Sequence, residues 1–435
     1  MRARVANRQI GLQVVSGMLC ILLALAGWAA GARAATHPVL PGDGSFSRTL
    51  AAAAPGDELV LQPGLHSGPL TINKPIILTG APGAVIDGGG RGHGAHVVAP
   101  DVTLRALTVI NSGRDLSKQH AGIFLGREAD RARVEGNTLR DNLIGVYVWG
   151  PRDAIVRANH ITGLQLHRVN ARGNGIQLWR TPGSVVEDNQ VFHGRDGIFV
   201  NSSKKNSFTN NLFRDLRFAV HYMYADNSEV SGNVSIGNHL GYAVMFSTRV
   251  KVTDNVSLND RDHGVMLNYA NKSIITGNVI KNTKGKCTFL YNSHKNDFSG
   301  NWFEGCGIGI HFTAGSGDNR MVGNAFLNNR TQVKYVSTKW VEWSEDGQGN
   351  YWSDFAAYDV DGDGIADTPY RPNDSMDHVL WTQPAAKMLL GSPAVQLVRW
   401  SQASFPALLP GGVMDSHALM APALPEANKK VPQDG

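Results

Sequence analysis

The sequence predicts an all-β protein, a right-handed parallel β-helix with an N-terminal cap and an irregular C-terminal module. A pattern of 22–23 residues recurs about nine times between residues 121 and 334, and a fixed period of this length is typical of a solenoid. Within each copy, apolar residues alternate with other residues and Gly or Asn marks the turns, which indicates strands rather than helices. Three short strands and three turns fit into one such coil.

Each copy carries the same two marks. One strand ends in an asparagine, and successive asparagines are 22, 30, 22, 22, 22, 23, 23 and 23 residues apart: Asn137, Asn159, Asn189, Asn211, Asn233, Asn255, Asn278, Asn301 and Asn324. Another strand opens on a small residue followed by alternating apolar residues, at Gly122, Gly145, Gly175, Gly197, Ala219, Ala243, Gly264, Cys287 and Gly309.

The first 34 residues stand apart from the repeat. They contain early arginines, an apolar run from 14 to 30 and the small-residue site Ala32-Arg33-Ala34. This is the pattern of a cleavable secretory signal peptide. The formal charge of the whole chain is +5, and the leader holds four arginines and no acidic residue, so +1 remains after cleavage. This nearly neutral chain gives no indication of nucleic-acid binding.

The rest of the chain divides into four parts. Residues 35–57 form an N-terminal cap with a short helix expected from Ser45 to Ala54, because a solenoid must cover its first open edge. The remaining parts are the β-helix at 58–335, a C-terminal module at 336–380, and a tail at 381–435 that we expect to dock partners or to be partly disordered.

Two coils are lengthened at the same turn. Eleven residues separate Asn111 from Gly122, whereas Asn142 precedes Gly145 by three, and Gly163–Gly173 forms a second insertion. The two coils are two rungs apart, so we expect the insertions to project side by side from one edge. Long loops on a rigid repeat usually carry recognition, and the alternative is a tolerated surface insertion.

Histidine and methionine gather on one predicted face. If the residue after the opening small residue points inward, the next one points outward. His221, Met245 and Met266 then stand in one outward column, with Met223 two residues beyond His221. Imidazole and thioether groups suit Cu(I), so the four residues are a candidate copper site. The alternatives are a partner-docking surface and ordinary packing residues beneath a covering segment.

Two turns combine Asp, Arg and His, at His193–Gly197 and Arg261–Gly264. Such groups could serve as the acid and base of a polysaccharide lyase, hydrolase or epimerase. The sequence shows no row of aspartates on neighbouring rungs and no close Asp pair, and an Asp in a turn usually caps the backbone. We therefore assign no catalytic and no organic-cofactor residues and do not expect an enzyme.

Asp359, Asp361 and Asp363 alternate before Gly364, with Asp367 at a position often filled through water. Carboxylates spaced in this way around a Gly turn can wrap a calcium ion. The pattern departs from the EF-hand loop because Tyr370 stands where the bidentate Glu belongs. We predict a structural calcium site, and the alternative is an Asp/Gly turn without metal.

Cys287 and Cys306 are the cysteines that follow the leader. In an exported protein they could pair across adjacent coils, or they could remain separate as buried small residues.

Several stretches together resemble one family. They are PGDELVLQPGLHSGPL at 55–70, YMYADNS at 222–228, AVMFS at 243–247 and GNYWSDFAAYDVDGDGIADTPYRP at 349–372. With the leader and the repeats, they resemble the NosD family, accessory proteins that help to mature nitrous oxide reductase. The resemblance covers essentially the whole mature chain.

The resemblance implies a periplasmic protein that associates with an ABC-type ATPase and its membrane subunit. It further implies help in delivering copper from a copper chaperone to apo nitrous oxide reductase. The tail, with Met388, Met414, His417 and Met420, would then dock the transporter or merely cover the last coil. The alternative from another class is a secreted carbohydrate-active β-helix enzyme, which would need carboxylates with a basic partner in a cleft.

Overall fold

A computed structural model describes residues 34–313, 315–336, 339–373, 379, 383–389, 392–404 and 412–432. Nearly all of the predicted signal peptide lies outside these residues, so its presence stays a prediction. The described chain winds into a parallel β-helix with three long sheets, which confirms the predicted fold class. No helix within the described residues has the length and apolar character needed to cross a bilayer.

The three sheets, which we name A, B and C, are built from one short strand of each coil. Sheet A contains 13 strands: Thr36–Val39, Glu58–Leu61, Ile77–Gly80, Thr103–Arg105, Arg133–Glu135, Ile155–Arg157, Val185–Glu187, Ser207–Thr209, Glu229–Ser231, Lys251–Thr253, Ile274–Thr276, Asp297–Ser299 and Arg320–Val322. Sheet B contains 13 strands: Gly64–Ser67, Ala84–Asp87, Thr108–Ile110, Thr138–Asn142, His160–Gly163, Gln190–Phe192, Leu212–Arg214, Val234–Ile236, Val256–Leu258, Val279–Lys281, Trp302–Glu304, Ala325–Leu327 and Tyr351–Trp352. Sheet C contains 12 strands: Leu70–Ile72, Ala95–Val97, Ala121–Leu125, Ile144–Trp149, Ile176–Trp179, Asp196–Asn201, Phe218–Met223, Leu240–Met245, His263–Asn268, Lys286–Tyr291, Ile308–Thr313 and Val333–Val336.

The core lies inside the coils. In sheet A, the middle residue of each three-residue strand points inward, so Val134 pairs with Val156 and Val156 with Val186. All three side chains are buried. Because each coil repeats the same alternation, identical apolar positions stack into continuous columns, and each coil covers the apolar face of the next.

The repeated asparagines form a buried ladder at the corner between sheets A and B. Asn255 Oδ1 accepts hydrogen bonds of 3.0 Å from both the backbone N–H and the Nδ2 of Asn233, one coil earlier. Its own Nδ2 donates to the Val230 carbonyl at 2.8 Å. Every corner would otherwise bury unpaired backbone groups, so the asparagine meets the hydrogen-bonding need of each turn.

The predicted N-terminal cap is present as an α-helix at Ser45–Ala52. Phe46 and Leu50 are buried against the first coil. The Lys74 ammonium donates to the carbonyls of Leu50, Ala51 and Ala53 at 2.8–3.0 Å. A cation at this end satisfies helix carbonyls that have no partner within the helix.

The C-terminal cap joins two segments that we had assigned to different parts. Strand Trp340–Glu342 pairs in parallel with Gly412–Met414, so the boundary expected at 380 separates residues that fold together. Asp415 is fully buried and accepts hydrogen bonds from the Asn350 N–H at 2.7 Å and from Trp352 Nε1 at 2.8 Å. Asp415 thus ends the asparagine ladder, and this part of the tail covers the last coil.

The described end of the chain returns to the middle of the β-helix. Glu426–Lys430 forms a 3₁₀ turn, and Ala427 is buried with Val256 and Val279 of sheet B. Lys430 Nζ donates to the Gly232 carbonyl at 2.9 Å. Our expectation of disorder is wrong for these residues, because the small Ala427 fits the outer face of sheet B and the lysine meets a free carbonyl.

Two further α- or 3₁₀-helical segments lie in the tail, at Pro384–Leu389 and Pro393–Ser404. Cys287 and Cys306, for which the sequence left two alternatives, form a disulfide with their Cα atoms 5.6 Å apart.

Candidate functional site

The outer face of sheet C holds the predicted copper residues, but in a different register from the one we expected. His221 pairs with Ala243 and Ala243 with Met266, whereas Met245 pairs with Met223. The prediction that Met245 stands between His221 and Met266 is therefore wrong.

The physical reason is where this strand begins. Leu240 pairs with His263 and Tyr242 with Val265, so Gly241 occupies the position that we had given to Ala243. A shift of two residues leaves the inward and outward alternation unchanged, and the pattern of apolar residues could not detect it.

Ala243 is the smallest side chain among its neighbours in this column and is fully buried. Its neighbours across the rungs are His221 and Met266, and Met245 follows two residues along its own strand beside Met223. We call His221, Met223, Ala243, Met245 and Met266 the methionine notch. Rungs lie about 4.8 Å apart, so one histidine and three methionines stand close together around Ala243 on three neighbouring strands. The three methionines are half-buried.

A buried carboxylate fixes the orientation of His221. The His221 Nδ1 lies 3.2 Å from Asp196 Oδ2, and the Asp196 side chain is fully buried. An ionised carboxylate can only accept, so Nδ1 carries a proton, and in the neutral imidazole it is then Nε2 that holds the lone pair. A histidine held in this way by a carboxylate is the usual arrangement of a metal-ligating imidazole.

Arg217 keeps Asp196 ionised. Its Nε and Nη2 donate to the two carboxylate oxygens at 2.8 and 2.6 Å. Burial acts to raise the pKa of Asp196, but hydrogen bonds from His221 and Arg217 and the charge of Arg217 outweigh it, and the pKa lies below its ordinary value. The sequence placed Asp196 in a possible acid/base set. The structure instead places it behind the histidine, out of reach of a substrate.

Aromatic rings hold the imidazole from two sides. Phe199 lies 5.1 Å away and Phe218 4.9 Å away, the latter edge-on at 90°. His221 is only 8% exposed. Its position is therefore set by packing as well as by Asp196.

An exposed stack of aromatic rings borders the notch. Tyr224, Phe246 and Tyr269 occupy the turn after three consecutive strands of sheet C, with ring centroids 5.3 and 5.2 Å apart and nearly parallel planes. We call these three residues the aromatic ladder. They remain 50%, 38% and 44% exposed.

The ladder is also backbone-strained. All three residues have positive φ, between 49° and 55°, and this conformation costs an L-residue about 1–2 kcal/mol. Arg180, Ser202 and Asn292 have the same conformation at this turn on other coils, so positive φ belongs to the repeat, and the exposed aromatic rings are what distinguish the ladder. The ladder was not predicted, although Tyr224 and Phe246 directly follow Met223 and Met245 in the sequence.

The two insertions leave the same corner of the β-helix, as expected. Residues 111–120 and 164–175 both connect sheet B to sheet C, two coils apart. The Tyr147 hydroxyl donates to Gln119 Oε1 at 3.0 Å, and Leu164 packs with Leu143 and Ile144. The insertions thus cover the early part of the outer face of sheet C, before the notch.

Two more histidines, which are not among the predicted copper residues, lie on this face. His263 and His311 lie 5.3 and 5.0 Å from the ring of Phe289. Burial, followed by the charges of Lys334 and Lys286, lowers the pKa of His311 to about 4. Burial and Lys286 also lower the pKa of His263. His311 stands in the outward column with Met266 and Phe289.

The aspartate loop brings three of the four predicted calcium ligands together. Carboxylate oxygens of Asp359, Asp361 and Asp363 all lie within 4.8 Å of one another. Asp367 is directed elsewhere, because its Oδ2 accepts the Val360 N–H at 2.8 Å. Asp359 accepts backbone N–H groups of Gly362 and Gly364, so the loop is ordered by its own turns and also presents a cluster of oxygen ligands.

The fold and this face define a class: a parallel β-helix protein whose outer face offers imidazole and thioether groups. Residues 157–357 match the family described as NosD, periplasmic copper-binding protein. The chain is 39% identical over 374 residues to the probable ABC transporter binding protein NosD of Stutzerimonas stutzeri, covering 83% of this chain and 86% of that protein. A protein of the same name from Pseudomonas aeruginosa PAO1 is also 39% identical, over 373 residues, with 83% and 87% covered.

The chain therefore belongs to the NosD family. The relatives are named as binding proteins and not as enzymes. Among solved structures, a mannuronic-acid-specific polysaccharide family 6 lyase from human gut microbiota has a TM-score of 0.55 at 14% identity, covering 72% of this chain and 87% of that one. DFA-IIIase from Arthrobacter chlorophenolicus A6 has a TM-score of 0.54 at 14% identity, covering 76% and 98%. At such identity the likeness concerns the fold alone.

Proposed function

We propose that this protein is the periplasmic docking and copper hand-over subunit of an ABC-type complex that matures nitrous oxide reductase. The family description as periplasmic copper-binding and the relatives' name as ABC transporter binding proteins support it. The single observation that carries the copper role is the methionine notch, where Asp196 holds Nδ1 of His221 and three methionines stand on the same rung and the next two rungs.

The notch suits a cargo rather than a resident metal. Thioethers and imidazole select Cu(I). All of them are neutral ligands, so no charge attraction holds the ion and it can be released to a partner. The methionines are half-buried rather than enclosed, so a donor and an acceptor protein can approach the same ion. Copper is thus the substrate of the transfer, passed from a copper chaperone through the notch to apo nitrous oxide reductase.

The aromatic ladder supplies the docking half of this proposal. It runs along the edge of the notch over three coils, and Phe246 directly follows Met245. A partner that covers the ladder would bury apolar rings and shield the notch from water. Hydrophobic contact there would hold the chaperone or the reductase during transfer.

The tail supplies a second docking element. In its helical segments Met388, Leu397 and Trp400 are 87%, 64% and 63% exposed. Exposed apolar side chains on an amphipathic helix suit a groove in a partner. We propose that this part of the tail docks the membrane subunit of the transporter, whose ATPase lies on the other side of the membrane.

The aspartate loop is proposed to hold a structural calcium ion. Asp359, Asp361 and Asp363 present converging carboxylate oxygens, which are the ligands that calcium prefers. A bound ion would offset the repulsion among three neighbouring carboxylates and stabilise the C-terminal cap.

A Cu(I) titration tests the copper role. The parent protein should bind one Cu(I) more tightly than a Met223→Leu/Met245→Leu/Met266→Leu variant, in competition with a colorimetric Cu(I) chelator. Leucine keeps the apolar volume but removes the sulfur ligands. Activation of co-produced reductase should fall in parallel. Equal affinity and equal activation in the two proteins would show that the notch does not carry copper.

A further inference from the structure

A cationic groove lies beside the methionine notch, at the corner where sheet B passes into sheet C. Its volume is about 660 Å³, and the residues that line it come from five consecutive coils. The lining consists of Val169, Arg172, His193, Asp215, Leu216, Arg217, His239 and Arg261. With rungs about 4.8 Å apart, five coils span roughly 19 Å, the length of about six residues of extended chain.

The charge of the groove differs from that of the whole protein. Three of its lining residues are arginines and one is an aspartate, whereas the whole chain of 435 residues has a formal net charge of only +5. Arg217 is already paired with Asp196. Arg172 and Arg261 take part in none of the ion pairs recorded for the described residues, so their guanidinium groups keep donors for an incoming anion.

The second insertion builds one wall of this groove. Val169 and Arg172 lie in or next to its 3₁₀ turn at Val169–Ala171, and the Arg172 Nε donates to the Leu166 carbonyl. That contact holds the guanidinium of Arg172 over the groove, opposite the buried Leu216. The second insertion thereby contributes part of the wall of this groove.

We infer that this groove binds an acidic, extended segment of a partner protein. Guanidinium groups along the groove match side-chain carboxylates, and Val169 and Leu216 offer apolar contact between them. A sugar chain is a poorer match, because the nearest rings are covered: Arg217 lies 4.5 Å over Phe218, and Arg195 lies 5.9 Å over Phe199. The inference goes beyond the copper role and holds with no copper present.

Fluorescence anisotropy with the copper-free full chain tests it. The probe is a fluorescein-labelled hexapeptide with the repeating sequence Asp-Glu-Leu, at low and at physiological salt. We expect binding that weakens as salt rises, and an Asn-Gln-Leu peptide of the same length should not bind. Arg172→Gln and Arg261→Gln should each weaken binding about three- to tenfold.

Arg249→Gln is the matched control, because Arg249 is exposed at a different corner of the β-helix, where its Nε donates to Asn227 Oδ1. It should leave the peptide affinity unchanged. Arg217 is not substituted, because it supports Asp196 and hence the notch. Equal binding of the amide peptide, or equal loss in all three arginine variants, would overturn the inference. Tighter binding of a mannuronate tetramer than of the acidic peptide would also overturn it in favour of a polysaccharide site.

Discussion

His221 Nδ1 lies 3.2 Å from Asp196 Oδ2 on the neighbouring strand of sheet C, and Arg217 Nη2 donates to the same oxygen at 2.6 Å. The three residues form one unit in which a buried anion, stabilised by a guanidinium, sets the tautomer of an imidazole. That imidazole is part of the methionine notch. The ability of the notch to bind copper should therefore depend on a residue that never touches the metal.

Asp196→Asn tests this dependence. The amide keeps the shape of the carboxylate but no longer imposes a proton on His221 Nδ1, so the Nε2 lone pair is less available. We expect Cu(I) affinity to fall about 10- to 100-fold, measured by chelator competition. Asp215→Asn is the control, because Asp215 is exposed nearby. An unchanged affinity in Asp196→Asn, with the fold intact by circular dichroism, would contradict the assigned role of His221.

Phe246→Asn and Tyr269→Asn test the aromatic ladder. Asparagine accepts positive φ better than most residues, so each variant keeps the turn and removes one exposed ring. We expect unchanged or slightly higher thermal stability, together with a clear loss of reductase activation in cells and of chaperone binding in vitro. Ile274→Asn is a control at another exposed apolar position. Full activity in both ladder variants would show that no partner uses these rings.

Asn233→Ala tests the asparagine ladder. The substitution removes the Oδ1 that accepts from the backbone N–H and Nδ2 of Asn211 at 2.9 Å each. It also removes the Nδ2 that donates to the Phe208 carbonyl. Several buried polar groups lose their partners, so we expect a loss of about 2–4 kcal/mol in the free energy of unfolding. Urea denaturation should show this loss, while Gln190→Ala, at an exposed site on sheet B, should change it by under about 0.5 kcal/mol.

Asp260→Asn is predicted to stabilise the protein at neutral pH. Burial raises the pKa of Asp260 from 3.8 to about 6, although Ser235, Ser257 and the Asn238 N–H donate to it. The folded chain therefore binds more protons at this site than the unfolded chain between pH 4 and 6. Stability from Asp260 falls as pH rises through that window and stays low above it.

The neutral amide removes that penalty. Asn238 fills the matching position one coil earlier, where it accepts the Leu216 N–H at 2.7 Å, so an asparagine fits this corner. We expect Asp260→Asn to gain about 1–3 kcal/mol at pH 7.5, and the gain should shrink toward pH 4. The exposed Asp254→Asn serves as control. A gain that is equal at pH 4 and pH 7.5 would mean that the charge of Asp260 is not its cause.

Calcium should stabilise the C-terminal cap. We expect the melting temperature of chelator-treated protein to rise by a few degrees on addition of calcium, and the rise should vanish in Asp359→Asn/Asp363→Asn. Asp346→Asn, an exposed aspartate outside the loop, should respond like the parent. If calorimetry detects no calcium binding and the melting temperature stays fixed, the loop is an Asp/Gly turn without metal.

The sequence by itself determined the coil length, the positions of the turns and the residues that face the core. These features are local and repeated, so nine copies of the same alternation exclude any repeat length other than 22–23 residues. The end of the helix at Ser45–Ala52 was also predictable within two residues, because Pro55 and Gly56, which terminate helices, follow it closely. The Met and His residues of the notch were identified in the same way, by their phase within the strand.

Only the tertiary structure decided how those residues meet. A shift of two residues preserves the alternation, so the sequence could not tell that Ala243 rather than Met245 lies beside His221. The contact of His221 with Asp196 spans 25 residues and that of Asn350 with Asp415 spans 65. Such contacts depend on the stacking of whole coils and on where the tail returns. A repeat determines the spacing of its rungs. Contacts between distant residues form only when the coils have stacked, because only then do a buried charge and the open end of the β-helix meet the groups that pair with them.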